Sequence, residues 1–547
     1  KSSLRNNLSA VEQQLALYQR AIEELNQGSQ REDILHALRA AMTEPGLEEE
    51  LREKLRFAEE EKEVLVREKA SIESQKENLE IELERTRATL DSQEEEVRRR
   101  GQELEQHTLE LEKKSFKLLG VHLVYLWEYT SDIFEALATL KKNIPDVHIN
   151  LYGHFPTFAF KDLLTENPFI DSITIGEPEI TFLELADTVV NNKGNSSLYS
   201  IDGLAFHAPN SNAEGAATKA GIAQNKPRNP VSNLDNLPFP FRNDYELKKK
   251  KGISTYILAS RGCYGKCTFC YLDNFYGDES QWRGRGSENI FNEISDIYEK
   301  HGERYFYFAD ANFFGPGRKG KERACELATL LVDNNIKIKF GIECRVNDVD
   351  DKTICMLVKA GLVDVFLGVE SGSQRSLTKF RKYTTVEDNK NAIKILRRYG
   401  IEPNYGFIMF EPDSTLKDIR NNYEFLKEMQ MMRCPSITAH LLHHKQTVFK
   451  GTLDYEEMGY SGQNTTRHEY ESVYEFKDKE VGLLSKEINT FCLQALQEIS
   501  RNRDRNTGGN DSCVYDEKAS SSQEMNEKLI EHFEQTLSFF EKKTDSL

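Results

Sequence analysis

The sequence predicts an α/β protein in which an incomplete six-stranded parallel barrel follows a smaller, partial Rossmann-like domain and an N-terminal α-helical coiled coil. Three observations predict this order. Apolar residues repeat every seven positions before residue 116, short apolar runs alternate with charged helical segments after it, and turn-rich stretches separate the blocks. At 547 residues the chain is too long for a single core.

Composition narrows the classes of function. The net charge of -18 disfavours nucleic-acid binding through a general basic surface. No apolar run reaches the length of about 18 residues that a membrane-spanning helix needs. The nine cysteines are few for this length, and three of them lie close together. This usage favours a metal site in a reducing compartment, the cytoplasm, over a disulfide framework.

Residues 1–115 are predicted to be helical, with a coiled coil from Leu51 onward. Glu, Lys and Arg fill most positions between the apolar repeats, as in coiled coils, which permits a homo-oligomer. Lys62, Lys69 and Lys76 interrupt one repeat, so a solvated single helix remains the alternative. The two apolar series are Leu51, Ala58, Leu65, Ile72 and Leu79, and Leu55, Leu83, Leu90, Val97, Leu104 and Leu111.

Residues 116–192 are predicted to form the partial α/β domain. Apolar runs near 118–125, 148–153 and 170–175 have the length of strands, and helical segments separate them. Residues 193–250 are rich in Asn, Pro and Gly, which predicts a linker with little regular structure.

A second alternation of strands and helices predicts the barrel over residues 251–445. Residues 446–501 are interpreted as a C-terminal extension and 502–522 as a disordered linker. Residues 523–547 are predicted to form an amphipathic helix with Leu529, Phe533, Leu537 and Phe540 on its apolar side. The six predicted barrel strands are Ser254–Ala259, Arg304–Ala309, Ile336–Ile342, Val363–Val369, Pro403–Met409 and Ser436–Leu442.

The strongest chemical signal is the cysteine cluster Cys263, Cys267 and Cys270. Iron–sulfur clusters take thiolate ligands, and three thiolates around a four-iron cube leave one iron open. That iron can be chelated by the amino and carboxylate groups of S-adenosylmethionine (SAM). A zinc site or incidental cysteines are the alternatives. Zinc would need a fourth ligand nearby, and no Cys or His follows until His301.

This spacing after a first strand, with the aromatic Phe269 before the third cysteine, resembles the radical SAM superfamily over about residues 250–445. The resemblance implies a 4Fe-4S cluster and reductive cleavage of SAM to a 5′-deoxyadenosyl radical. It also implies a reductase, flavodoxin or ferredoxin as electron donor. The polar residues at successive strand ends match family positions that hold SAM. Those positions are Asp310 and Asn312 for its amino group, and Glu343, Arg345 and Glu370 for its ribose and carboxylate.

Residues 116–190 resemble the later half of a cobalamin-binding domain, through Gly153-His154-Phe155-Pro156-Thr157 and Gly176-Glu177-Pro178-Glu179. The resemblance implies cobalamin as a cofactor, with His154 as a candidate contact. It also implies methyl transfer to an unactivated centre of a small-molecule, natural-product or peptide substrate. Two strand–helix units that such a domain normally has are absent before this point. His148 is interpreted as structural because Leu151 occupies the position where a DxHxxG motif requires Gly.

Two alternatives stay open. The first is a cobalamin-independent radical SAM enzyme that rearranges, oxidises or crosslinks its substrate. The second is a coiled-coil assembly protein with an inactive barrel. His443 and His444 are candidates for acid–base chemistry or an ordinary loop pair, and the aromatic residues Tyr271, Tyr276 and Trp282 either wall the site or pack in the core.

Overall fold

The computed structural model describes residues 116–125, 130–208, 221–243, 245–277, 282–458, 471–472, 474–506 and 520–545, together with residues 76, 80, 87, 98 and 99. The predicted coiled coil therefore lies outside the described residues, apart from these isolated positions. Residues 116–131 and 145–547 form one compact unit that contains every described strand. Helix α1 (Thr130–Asn143) lies mostly in a separate unit.

A five-stranded sheet forms the first part of the main unit, in the order β1-β2-β3-β4-β5. Its first three strands are parallel and the last two are antiparallel. Ile149, Leu151 and Ile173 are fully buried, as the apolar runs predict. The elements are β1 (Leu118–His122), β2 (His148–Tyr152), α2 (His154–Glu166), β3 (Ser172–Thr174), α3 (Pro178–Val190), β4 (Leu204–His207) and β5 (Ile222–Gln224).

Strands β4 and β5 lie in the segment that the sequence predicted to be a linker with little regular structure. That prediction is wrong for these strands, which extend the first sheet through pairs such as Ile173 with Ala205. Leu204, Ala205 and Phe206 are buried. Strands of three or four residues are too short to show the alternating pattern of a strand in the sequence. The surrounding Asn and Pro residues therefore determined the prediction.

The second sheet is wholly parallel and has the order β12-β11-β10-β9-β6. Its strands fall on the first five that the sequence predicted for the barrel. Helices between successive strands bury apolar faces against it, as parallel connections require. The strands are β6 (Thr255–Ile257), β9 (Tyr305–Phe308), β10 (Lys339–Arg345), β11 (Leu362–Glu370) and β12 (Asn404–Phe407).

The sixth predicted strand, Ser436–Leu442, is wrong: this segment forms helix α12 (Pro435–His443). Pro435 occupies the first helical turn, where its missing N–H costs nothing. Four residues of this segment are buried: Thr438, Ala439, Leu441 and Leu442. Such a short apolar run fits the period of a helix as well as that of a strand. Only a single parallel bridge, between Phe410 and Lys445, continues the sheet among the described residues.

The cysteine loop lies between two short antiparallel strands, β7 (Ser260–Gly262) and β8 (Trp282–Gly284).

The last two helices, α14 (Lys479–Asn506) and α15 (Ser520–Asp545), flank residues 507–519 of the predicted disordered segment, which lie outside the described residues. Leu529, Phe533 and Leu537 are almost fully buried. No helix in the described residues is long and apolar enough to span a bilayer. The remaining elements are α4 (Tyr245–Lys250), α5 (Leu272–Tyr276), α6 (Ser287–His301), α7 (Gly317–Asp333), α8 (Asp351–Ala360), α9 (Gln374–Lys379), α10 (Val386–Arg398), α11 (Leu416–Glu428), α13 (Leu453–Glu457), β13 (Val448–Phe449), β14 (Glu471–Ser472) and 3-10 turns at Asn195–Ser200, Leu234–Asn236 and Val346–Asp348.

Candidate functional site

The three clustered cysteines lie in a tight loop directly after β7. Gly262 has a φ of 80°, which favours glycine, and the Gly265 N–H points at the Cys263 sulfur at 3.4 Å. Cys267 is buried, while Cys263 and Cys270 are half-buried. Burial raises the pKa of Cys263, and it raises the pKa of Cys270 to about 12. The thiols of Cys263 and Cys270 are therefore protonated at neutral pH, and binding a metal must release their protons.

The three cysteines of this loop are free thiols, which makes them candidate ligands for an iron–sulfur cluster. In the described part of the chain, no three His, Cys, Asp or Glu side chains converge closely enough to hold one metal ion. A cubane does not need such convergence because each thiolate binds a different iron. Gly265 leaves the space that an added Cβ would fill, at 2.2 Å from the Arg345 guanidinium and 3.5 Å from the Cys263 sulfur.

Two buried cations stand beside the cysteine loop. Arg345, at the end of β10, donates from Nη1 to the Cys267 sulfur at 3.3 Å and from Nη2 to the Lys382 carbonyl. Lys382 is 3% exposed and donates to Glu370 at 2.7 Å. Cations at this position stabilise thiolates and offset the negative charge of a thiolate-bound cluster. The sequence analysis included Arg345 and missed Lys382, which lies in no motif.

Glu370 ends β11 in a conformation that costs energy. Its φ is 63°, in the left-handed region that non-glycine residues rarely adopt, and the pairing register with β12 shifts at this residue. Local strain of this kind concentrates at functional sites. Its carboxylate binds Lys382, which brings the predicted Glu370 to the same site as the cysteines.

The side chains of Asp310 and Asn312 are already bonded within the protein. Asp310 accepts from the Ala259 N–H at 3.2 Å and from the Ser260 hydroxyl, and burial raises its pKa to about 6. Asn312 donates to Asp348 at 2.7 Å and accepts from the Gly315 N–H at 2.6 Å. The Asp310 contacts join the end of β9 to β7, and the Asn312 side chain reaches the cysteine loop through Asp348, which also accepts from the Tyr264 hydroxyl at 2.6 Å. Direct binding of SAM by Asp310 and Asn312 stays a prediction.

Two further predicted residues lie near the same sheet edge. Glu343 accepts from the Tyr307 hydroxyl at 3.3 Å, and burial raises the pKa of its carboxyl. Phe269 packs edge-on against Phe380, with ring centroids 5.2 Å apart. Their roles toward a cofactor stay predictions.

His154 comes from the first sheet yet lies against the residues that follow the cysteines. Its ring is 4.9 Å from that of Tyr271 and 4.4 Å from that of Phe275. Its Nδ1 is buried without a hydrogen-bond partner among the described residues, and burial lowers its pKa to about 4. An unpartnered buried nitrogen is costly, which makes His154 a candidate contact for a ligand. His148 instead bonds the Ser172 hydroxyl at 2.7 Å.

Of the other candidate residues, Trp282 and the adjacent histidines His443, the last residue of α12, and His444 have defined partners or neighbours. Trp282 donates from its indole to the Asn312 carbonyl at 2.9 Å, and His443 bonds the Ala439 carbonyl through Nδ1 at 2.6 Å. Burial lowers the pKa of both His443 and His444, and the nearby Glu370 carboxylate opposes this for His444.

The sequence analysis also missed an ion-pair network that holds the cysteine loop. Arg261 and Arg283 are register partners on β7 and β8, and both bind Glu177 at the start of α3. Arg261 also binds Glu179. The resemblance drew attention to both glutamates, but nothing in the local sequence indicated their arginine partners.

Comparisons with known proteins match the part of the chain that contains the cysteine loop to a known family. Residues 257–426 match the model of the Radical SAM superfamily. The chain is 27% identical to an uncharacterized methyltransferase of Pyrococcus horikoshii, covering 58% of this chain and 66% of that protein. It is 30% identical to the anaerobic magnesium-protoporphyrin IX monomethyl ester cyclase of Cereibacter sphaeroides, covering 58% of this chain and 52% of that one. The chain therefore spans about half to two thirds of these relatives.

A solved structure shares the fold across both sheets. The cobalamin-dependent SAM radical enzyme OxsB, with aqua-cobalamin and SAM bound, aligns over 79% of this chain and 65% of its own, with a TM-score of 0.63 and 19% identity. At that identity the likeness shows the fold alone. Residues 257–426, with the cysteine loop that they contain, are therefore the part of this chain that matches the radical SAM superfamily.

Proposed function

We propose that this chain is a radical SAM enzyme that holds a 4Fe-4S cluster on Cys263, Cys267 and Cys270 and cleaves SAM reductively. The observation that carries the proposal is the meeting of three cysteines with two buried cations, Arg345 and Lys382, at one edge of a parallel sheet. Three ligands leave one iron for SAM. When bound, the cluster and SAM supply one-electron chemistry that ends in hydrogen abstraction from substrate.

The chain's own residues supply binding, orientation and charge. Arg345 donates a hydrogen bond to a cluster-ligand sulfur, and Lys382 adds a second positive charge. Glu343 and Glu370 offer carboxylates for the ribose hydroxyl groups of SAM at the ends of β10 and β11. The aromatic residues around Tyr271 exclude water from the side that faces the first sheet.

We further propose that the reaction is methyl transfer to an unactivated centre of a peptide or natural product, with cobalamin. The OxsB-like fold and the methyltransferase name of a relative support this proposal. Within the chain, support comes from the carboxyl ends of β1 and β2, where His122 stacks on Tyr152 at 5.3 Å beside Gly153 and His154. The unpartnered Nδ1 of His154 suits a polar cofactor group. The second candidate is a radical rearrangement or crosslink without cobalamin. It is supported by the relative from Cereibacter sphaeroides, which is named as a cyclase and not as a methyltransferase.

The cluster must receive electrons from outside the chain, so we propose a flavodoxin, ferredoxin or reductase as partner. We also propose a reducing location such as the cytoplasm, where the free thiols would stay available as ligands. We also propose that the predicted coiled coil allows the chain to associate with further copies of itself.

Anaerobic reconstitution of the full chain tests the proposal. Iron, sulfide and 5′-deoxyadenosine are measured after chemical reduction with SAM. We expect about four irons per chain and loss of both iron and product in Cys263→Ala. The matched control is Cys434→Ala, because Cys434 is also buried but lies outside the loop. Zinc in place of iron, or uncleaved SAM in the reduced sample, would contradict the proposal.

Cobalamin is tested separately, by spectroscopy of protein purified from cobalamin-fed cells and by methyl analysis of candidate products. Retained cobalamin supports methyl transfer. A chain that makes 5′-deoxyadenosine but never retains cobalamin favours the second candidate.

A further inference from the structure

A cleft separate from the cysteine site lies beside helix α14. Its cavity volume is about 680 Å³, within the range of about 300 to 1,000 Å³ typical of small-molecule sites. One wall is the α14 face that carries Lys479, Ser485 and Lys486, and the other contains His443 and Lys445. The cleft lining includes no cysteine and none of the residues predicted to hold SAM.

The charge of this cleft is opposite to that of the chain. Three lysines line it against a single carboxylate, that of Glu475, whereas the whole sequence has a net charge of -18. Lys479 and Lys486 are two helical turns apart, so they share a face of α14. Within the described residues, neither of these two lysines forms an ion pair. Concentrated positive charge in a concave surface attracts anions.

A serine hydroxyl lies on the same wall of the cleft. Ser485 is largely buried, at 5% exposed, and lines the cleft. Its hydroxyl oxygen is not among the buried atoms that lack a partner in the described residues, so it is placed to donate to or accept from a ligand in the cleft. Asn489 adds an amide donor one turn further along the same wall.

The rest of the cleft is apolar and aromatic. Tyr474 and Phe476 form its floor, and Lys445 Nζ lies 4.2 Å from the centre of the Tyr474 ring. The Tyr474 hydroxyl is held by the Gln446 carbonyl at 2.9 Å, which fixes the ring. Leu483 is 52% exposed at the opening. A bare inorganic ion would leave this surface uncovered.

We propose that this cleft, lined by His443, Lys445, Tyr474, Lys479, Ser485 and Lys486, binds a small organic anion. Its phosphate or carboxylate accepts from the Ser485 hydroxyl and pairs with the two α14 lysines. Its apolar or ring-containing body lies on Phe476 and Leu483.

Calorimetric titration of the full chain tests this site with phenyl phosphate, benzoate and inorganic phosphate as probes at low ionic strength. We expect saturable binding of phenyl phosphate or benzoate at one site per chain, weakened by added salt. Inorganic phosphate should bind at least about tenfold more weakly than phenyl phosphate, because it cannot cover the apolar floor. Equal affinity for the two would overturn the organic part of the assignment.

Three variants locate the site. Lys479→Gln with Lys486→Gln should weaken phenyl phosphate binding about tenfold or more, because charge-assisted hydrogen bonds are lost. Ser485→Ala should weaken it about threefold or more. The matched control is Lys477→Gln: this lysine is 78% exposed, pairs with Asp413 at 2.9 Å and lies just outside the cleft. Lack of saturable binding in a folded wild type, or an equal loss in the control, would overturn the proposal.

Discussion

The strands that carry the cysteine loop and the C-terminal helix α15 both make ion pairs, but these pairs differ in burial. In β7 and β8, Arg261 and Arg283 stand opposite each other with side chains 17% and 10% exposed. Glu177, 8% exposed, pairs with both. In α15, Glu534 and Glu541 each bind Arg420 at 2.6 Å, but about a third of each glutamate side chain is exposed.

The two regions also differ in apolar contacts. Helix α15 buries Leu529, Phe533 and Leu537 against the core, and Phe533 stacks on Tyr423 at 4.9 Å. Packing therefore attaches α15, with charges at its rim. Strands β7 and β8 have no such apolar stripe, so directional ion pairs set where the cysteine loop begins. Apolar packing stabilises a region in more than one arrangement of its side chains, whereas a buried ion pair is stabilising only when its two charged groups are in contact.

The largest expected effect is in the packed helix. Phe533→Ala should lower the free energy of unfolding by about 3–5 kcal/mol, because it removes a fully buried ring and leaves a cavity. Urea denaturation followed by circular dichroism measures this change. Iron content after reconstitution should stay near the wild-type value, since α15 does not touch the cysteine loop. If iron were lost as completely as stability, the two regions would not be independent.

The second prediction concerns the strands of the cysteine loop, where we expect one substitution to affect the cluster as well as the stability. Glu177→Gln leaves two facing arginines without their shared carboxylate and should cost about 3 kcal/mol in unfolding free energy. The position of the cysteine loop should also change, which would lower iron content and alter the electron paramagnetic resonance spectrum of the reduced cluster. Glu184→Gln is the matched control, because Glu184 is also on α3 and binds Arg228 with 43% of its side chain exposed. An unchanged spectrum in a variant that retains its cluster would show that the network does not position the loop.

The contrast between packing and buried charge also explains how much the sequence could predict. The apolar spacing of Leu529, Phe533, Leu537 and Phe540 predicted α15, and the cysteine spacing indicated the candidate site, because both patterns are local. The ion pairs of Arg261 with Glu179 and of Arg283 with Glu177 join residues 82 and 106 positions apart, which no local pattern shows. Lys382 was missed for the same reason: only folding brings it to Glu370 and Arg345.

A third prediction compares histidines in the two regions. Burial lowers the pKa of His154 to about 4, against 6.5 in the unfolded chain. The unfolded chain therefore binds a proton first, and stability is lost as the pH falls from 6.5 toward 4. Between pH 7 and pH 5 this group should cost about 2 kcal/mol. His154→Gln should remove that part of the pH dependence in urea titrations at both pH values.

His532 of α15 provides the control for this pH effect. Burial also lowers its pKa, but it is only partly buried, and its ring stacks on Phe491 at 3.9 Å. His532→Gln should change the pH dependence less than His154→Gln does. If His532→Gln changed the pH dependence more than His154→Gln, the histidine whose burial costs more stability would lie in the packed helix. That result would contradict the difference expected between the two regions.

The smallest expected effect is in the exposed ion pairs of α15. Arg420→Gln removes contacts with Glu534 and Glu541, yet should lower the free energy of unfolding by only about 1 kcal/mol, because water and salt screen these charges. Added salt should reduce the difference between variant and wild type. The same salt series should barely affect the cost of Glu177→Gln, since its partners are buried. A salt-independent loss in Arg420→Gln as large as that in Glu177→Gln would mean that burial does not decide which ion pairs stabilise this protein.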